Sequence, residues 1–281
     1  MKPAAFAYAK ARSLAHAVEL LDGEPEARIL AGGQSLIATL NMRLDAPRLL
    51  IDINGLGELA AVSASAGEIE IGALVRQRAA ERHVDIAKSS PLIATALPYV
   101  AHPAIRNRGT VGGSIAFADP AAELPACIVA LDGELEITGS KGTRRIKADR
   151  FFIGLFDTGL RPGEILTKIV IPSAETDHRF GFAELTRRHG DYALVGLAAT
   201  ARADGVALKD VRLVYFGVDA IPLRARKAEM ALANGTVEDA ISALAADLDP
   251  KDDIHASAAA RKHLAGVLLR RVATQLNGQR P

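Results

Sequence analysis

Ala31-Gly32-Gly33-Gln34-Ser35 and Thr110-Val111-Gly112-Gly113-Ser114 carry the clearest signal in this chain. Each glycine pair is closed by a hydroxyl residue, and each precedes a run of good helix formers. A turn without Cβ atoms lets successive backbone N–H groups converge on one anion. A helix beginning just after the turn adds its own N-terminal N–H groups and dipole. One such turn is equally well explained by tight packing of backbone on backbone. Two in one chain suit a ligand with adjacent phosphates, such as a dinucleotide.

On either side of these turns the pattern is regular. SLAHAVELLD (13–22) has helical spacing after a candidate Ser13 cap, and Gly23 stops it. ARILA (27–31) reads as a buried strand entering the first turn, and SLIATLNMRL (35–44) as the helix leaving it. RLLIDI (48–53) and EIEIGAL (68–74) read as strands; VRQRAAERH (75–83), PLIATALPYV (91–100) and PAAELPACIVALDG (120–133) read as helices. ELEIT (134–138) and TRRIK (143–147) form a hairpin about Gly139 and Gly142, and EILTKIVIP (164–172) is a strand ended by Pro172. The polar stretch SAETDHR (173–179) is the best domain boundary. Beyond it, strands at 180–188, 193–203 and 209–217 precede helices at 222–233, 236–247 and 255–276. Strands first and helices after is the order of an α+β unit. The expected division is 1–176 and 177–281.

Composition narrows the function. A chain of 281 residues with a formal net charge of +1 offers no electrostatic case for nucleic acid or an anionic membrane. The single Cys127, in the apolar run LPACIVAL, allows no internal disulfide and no thiolate cluster, and reads as a buried small residue. The N-terminus lacks the apolar core of a signal peptide, and no apolar stretch is long enough to span a bilayer, so the cytoplasm is the expected compartment.

Gly55-Leu56-Gly57-Glu58-Leu59-Ala60 imitates a dinucleotide fingerprint, but that motif needs a long helix after it and AVSASAGEIEIG stands there instead, so a simple turn is expected. His102, Arg106 and Arg108 lie just ahead of the second glycine pair; the arginines either meet an anion or pair with nearby acids. Asp119 accepts from sugar hydroxyls or caps the following helix. Glu123 does the former or complements the helix dipole.

The pair of motifs, with RRHGDYALVGLAA (187–199) and AGVLLRR (265–271), resembles the FAD-binding subunits of molybdenum hydroxylases over nearly the whole chain. The resemblance implies an α+β protein. Its N-terminal FAD-binding domain would have two α/β lobes, and its C-terminal domain a three-stranded antiparallel sheet with a three-helix bundle. It also implies a set of FAD contacts at Ile29, Leu30, Ala31, Gly32, Gly33, Gln34, Ser35, Leu36, His102, Ile105, Thr110, Gly112, Gly113, Ser114, Glu123 and Tyr192. Tyr192 falls where relatives place an aromatic ring near the flavin. Gln34, Ser114 and Glu123 depart from the residues usual in relatives, but each keeps hydrogen-bonding capacity.

The resemblance further implies an electron-transfer role, with FAD the only cofactor on this chain. A molybdopterin-containing large subunit would oxidise the substrate, and a small subunit with two 2Fe–2S clusters would pass electrons to the flavin, in a dimer of heterotrimers. No catalytic acid, base or nucleophile and no metal ligand is expected here. The alternatives are a free-standing FAD-dependent oxidoreductase of the same superfamily and a nucleotide-holding domain without redox turnover.

Overall fold

The computed structural model describes residues 1–205 and 207–278; the last residues of the expected second domain, 279–281, lie outside them. The first lobe comprises β1 (Ala7–Lys10), α1 (Leu14–Gly23), β2 (Ala27–Leu30), α2 (Leu36–Asn41) and β3 (Leu49–Asp52). Its three strands are parallel in the order β1–β3–β2, with Ile29 opposite Ile51. Ser13 starts α1, its hydroxyl accepting from the His16 N–H at 3.1 Å. Ala17 and Val18 then press onto Ala27 and Ile51, forming a small core.

A second lobe comes next, of β4 (Val62–Ala64), β5 (Glu68–Gly72), α3 (Gln77–Ala80), α4 (Val84–Ser89), α5 (Pro91–Ala96), α6 (Pro103–Arg106), α7 (Val111–Phe117), α8 (Glu123–Ala130), β6 (Glu134–Gly139), β7 (Gly142–Lys147), β8 (Phe152–Gly154), β9 (Asp157–Thr158) and β10 (Ile165–Pro172). Five of these strands form a sheet in the order β4–β5–β10–β6–β7, all antiparallel. Period-2 alternation explains its two faces. Ile69, Ile71, Leu135, Ile137, Ile169 and Ile171 are buried on one. On the other, Glu70 and Glu136 pair with Lys168 and Arg145.

The C-terminal part has three long antiparallel strands, β11 (His178–Leu185), β12 (Val195–Asp204) and β13 (Ala207–Phe216), and a two-residue edge strand, β14 (Leu223–Arg224). Three helices complete it, α9 (Arg226–Asn234), α10 (Val237–Ala243) and α11 (Ala258–Leu276). Leu197, Leu213 and Tyr215 share a core with Leu268, Leu269 and Val272 of α11. Phe182, Ala198, Val214 and Phe216, on the opposite face, join the core of the second lobe. Helix α8 is therefore sandwiched, and all eight of its residues are buried. That is why ELPACIVA carries no polar face beyond its first residue, and why Cys127 is wholly enclosed with its thiol pushed well up by burial.

Some elements differ from the sequence reading. The expected helix 75–83 shrinks to Gln77–Ala80, because Arg76 is extended and bridges Thr110. Tertiary pairing here overrides helical spacing. Helix 120–133 starts only at Glu123, after Asp119 has bound the Ala121 N–H at 2.9 Å. The stretch after Gly55 makes one 3-10 turn, Gly57–Ala60, and no long helix, as the turn reading required. Among the described residues no helix is long and apolar enough to cross a membrane.

Candidate cofactor site

The first glycine motif is a loop between the end of β2 and the start of α2. Gly33 has φ +71°, a left-handed conformation that favours glycine, and a Cβ there would press on Ile37 and Leu30 at 3.2 Å. Among the described residues, no acceptor binds the backbone N–H groups of Gly33, Gln34, Ser35 and Leu36. Four consecutive backbone donors are thus free in this loop. Gln34 folds back, its amide donating to the Gly32 carbonyl at 3.1 Å. Asn54, just past β3, braces the loop from below by donating to the carbonyls of Leu30 (3.3 Å) and Ala31 (2.8 Å).

The second motif is built differently from the turn expected. Gly112 and Gly113 lie in the first turn of α7, with Thr110 as its N-cap. Their N–H groups are already bonded, Gly112 to the Ala73 carbonyl (3.0 Å) and Gly113 to Thr110 Oγ1 (3.0 Å). These glycines serve close approach instead. A Cβ on Gly112 would collide with the Ala73 backbone, and one on Gly113 would sit 2.6 Å from Thr110 Oγ1. The free donor here is the Thr110 N–H, which has no acceptor among the described residues.

The two motifs meet. A Cβ on Gly32 would lie 2.8 Å from Gly109 Cα, and Gly113 faces Ala31. Arg76 stitches the junction, donating to Asn54 Oδ1 (2.7 Å) and to the Arg108 carbonyl. Ile105 closes the preceding turn, its carbonyl accepting from Arg108 N–H (3.0 Å) and Gly109 N–H (2.7 Å). The arginines split between their two readings. Arg106 is buried and binds Glu81 at 2.9 Å, with the Val100 carbonyl at 2.8 Å. The Arg108 side chain is exposed beside Arg76, whose guanidinium pKa is lowered by burial and then by the Arg108 charge.

Further along, His102 packs against the loop 186–194, which carries Tyr192. A Cβ on Gly190, at φ +79°, would lie 2.8 Å from the His102 ring. Tyr192 is 69% exposed. Partial burial, and then the charges of Asp119, Glu123 and Asp191, hold its phenol above the ordinary value. A groove of about 880 Å³ opens at Tyr192 between Asp119, Leu155, Gly217 and Arg261. A smaller hollow of about 390 Å³ lies between His102 and residues 187–191. Glu123 is 8% exposed, and burial raises its carboxyl to about 7.

Asn54, Arg76 and Glu184 were missed by the sequence reading. Asn54 comes after a strand as an ordinary turn residue would, and Arg76 fell inside an expected helix. Glu184 alternates on β11 like any solvent-facing residue, yet its Oε2 is buried without a hydrogen bond.

Residues 4–174 match the family of FAD-binding domains in molybdopterin dehydrogenases, and residues 180–276 match the C-terminal domain of the carbon monoxide dehydrogenase flavoprotein. The chain belongs to the FAD-binding subunits of the molybdenum hydroxylase family. It is 37% identical to the alpha subunit of the 6-hydroxypseudooxynicotine dehydrogenase complex of Paenarthrobacter nicotinovorans, covering 100% of this chain and 98% of that one. Identity to the medium chain of carbon monoxide dehydrogenase from Afipia carboxidovorans is 34%, over 96% of each. A solved chain of carbon monoxide dehydrogenase from Hydrogenophaga pseudoflava superposes with a TM-score of 0.96 at 31% identity, covering 100% of both. The cofactor of this FAD-binding subunit is FAD, and the subunit is part of an oxidoreductase. The residues present fit that group: the free N–H groups of the two glycine motifs and the exposed Arg108 suit a pyrophosphate.

Proposed function

We propose that this FAD-binding subunit relays electrons within a molybdenum hydroxylase complex, from iron–sulfur clusters on one partner to an acceptor outside the complex. The observation that carries the reading is the meeting of the two glycine motifs, which brings the run of free N–H groups after Gly32 up against the backbone of Arg108 and Gly109. Bound FAD supplies the redox chemistry, taking electrons and passing them on.

The chain's own residues hold and shield it. The N–H groups from Gly33 to Leu36 and from Thr110 receive the pyrophosphate, with Arg108 balancing its charge. Ile29, Leu30 and Ala31 bring the strand to that point, while Gly112 and Gly113 let α7 approach closely. Ser114 and Glu123 accept from sugar hydroxyls, and Tyr192 covers the flavin beside His102. One cysteine cannot ligate a 2Fe–2S centre, which needs four protein ligands, so the clusters belong to a small partner subunit. Substrate oxidation belongs to a molybdopterin-containing large subunit, and the assembly is a dimer of heterotrimers in the cytoplasm.

Co-expression with the molybdenum and iron–sulfur subunits tests this. A stable heteromeric complex on size-exclusion chromatography, with flavin reduced by substrate only when all three chains are present, is expected. Substrate turnover by this chain with FAD alone would instead make it a free-standing flavoenzyme.

A further inference from the structure

Asn54 follows the last strand of the first lobe, Arg76 belongs to the second, and the two side chains meet where the glycine motifs meet. Asn54 Nδ2 donates to the carbonyls of Leu30 and Ala31 and to Asp52 Oδ1 at 2.7 Å. Its Oδ1 accepts from Arg76 Nη2 at 2.7 Å, while Arg76 Nη1 donates to the Arg108 carbonyl. Ala31 comes two residues before Gly33 and Arg108 two before Thr110, so these links end close to the free N–H groups of both motifs. The arginines of this region differ in their partners. Arg78 and Arg106 both bind Glu81, at 2.7 and 2.9 Å. Arg76 and Arg108 make no ion pair among the described residues, and the Nε of Arg76 has no acceptor there. Burial lowers the Arg76 pKa, as does the Arg108 charge, while Asp52 acts the other way. Asp52 itself is engaged by the Tyr8 hydroxyl at 2.6 Å and by Asn54.

We propose that Arg76 is a positioning residue for FAD: through Asn54 and the Arg108 carbonyl it clasps the two glycine motifs at the spacing a pyrophosphate spans, and its charge favours that anion. The inference rests on the placement of the pyrophosphate between these motifs. Each motif offers donors of its own, but a diphosphate held by both loses one set when their spacing drifts. A guanidinium suits the task because its planar fork donates in fixed directions, here to the first lobe through Asn54 and to the segment leading into Thr110. The charge acts separately from the clasp. Arg76 and Arg108 repel one another, and a bound anion relieves that repulsion.

Calorimetric titration of FAD into the deflavinated full chain, at salt concentrations between about 0.01 and 1 M, separates clasp from charge. Arg76→Met should weaken FAD binding at least about tenfold and make it less sensitive to salt than wild type. Arg76→Lys keeps the charge without the fork, so it should retain the wild-type salt dependence and still bind more weakly. Asn54→Ala should weaken binding too, and the loss in the Asn54→Ala/Arg76→Met double variant should fall short of the sum of the single losses. Wild-type affinity in Arg76→Met, an unchanged salt dependence there, or additive losses in the double variant would overturn the proposal. Should the Asn54 variants not fold, the two Arg76 variants decide. Gly33→Val separates the two claims. If it loses FAD while Arg76→Met binds as wild type, the placement stands and the clasp falls. If Gly33→Val also binds FAD normally, the placement falls too.

Discussion

Gly33 and Gly113 obstruct a branched side chain for different reasons. At Gly33, φ is +71° and Ile37 and Leu30 already lie at contact distance, so valine there strains the loop that aims the free N–H groups. At Gly113 the new Cβ would displace Thr110 Oγ1 from the N–H it caps. Either valine should weaken FAD binding at least about tenfold, or about 1.4 kcal/mol, read as flavin absorbance retained after desalting. Gly57→Val, with nothing within 4 Å of the new Cβ, should leave flavin content intact. Tyr192→Ala should behave oppositely to the glycine variants. A side chain 69% exposed contributes little to folding, so stability should move by no more than about 0.5 kcal/mol. The flavin spectrum and reoxidation rate should change; if both match the wild type, Tyr192 does not touch the flavin. Among single residues, the sequence was most informative where glycine is sterically required, at 32, 33 and 112. It was silent on Glu184 and Asn54, whose roles depend on what the fold brings beside them.

Secondary elements were legible where periodicity met no competing partner. The β6–β7 hairpin ends on Gly139 and Gly142 as read, and β10 runs to Pro172. Where a backbone segment had a distant partner, local pattern misled. Val75 and Arg76 leave their helical pattern to pair across to Val111 and Thr110, and the second glycine pair forms the first turn of α7 rather than a loop. Short strands such as β1 and β14 carry too few residues to show any period. Helix α6 yields a prediction of its own. Its Arg106 guanidinium fills a buried site against Glu81 and three carbonyls, those of Pro98, Val100 and Ala101. Arg106→Met leaves the mostly buried Glu81 with only Arg78 and strips the carbonyls of a donor. A loss of about 3 kcal/mol by urea denaturation is expected. An unchanged midpoint would return Arg106 to the anion site.

At the scale of the whole molecule, the apolar surface of α8 welds the second lobe to one face of the C-terminal sheet. Glu123 and Glu184 sit in that weld, and their ionisation should register in global stability. Both carboxyls titrate higher folded than their ordinary value of 4.5. Their contribution is therefore fully present below that value and lost as pH rises through about 7 to 8. Thermal melts of the flavin-free chain should show wild type losing stability relative to Glu184→Gln across that window. Parallel pH profiles for the two proteins would show that Glu184 does not hold a proton in the fold.

A chain that relays electrons without oxidising substrate itself should depend on its partners for every substrate-derived electron. Anaerobic rapid mixing of the FAD-loaded chain, alone and with its molybdenum and iron–sulfur partners, follows those electrons at the flavin. Alone, the flavin should be reduced by an artificial donor such as dithionite and remain oxidised with every candidate substrate of the complex; with the partners, substrate should reduce it. Reduction of the flavin by substrate in the isolated chain would contradict the relay.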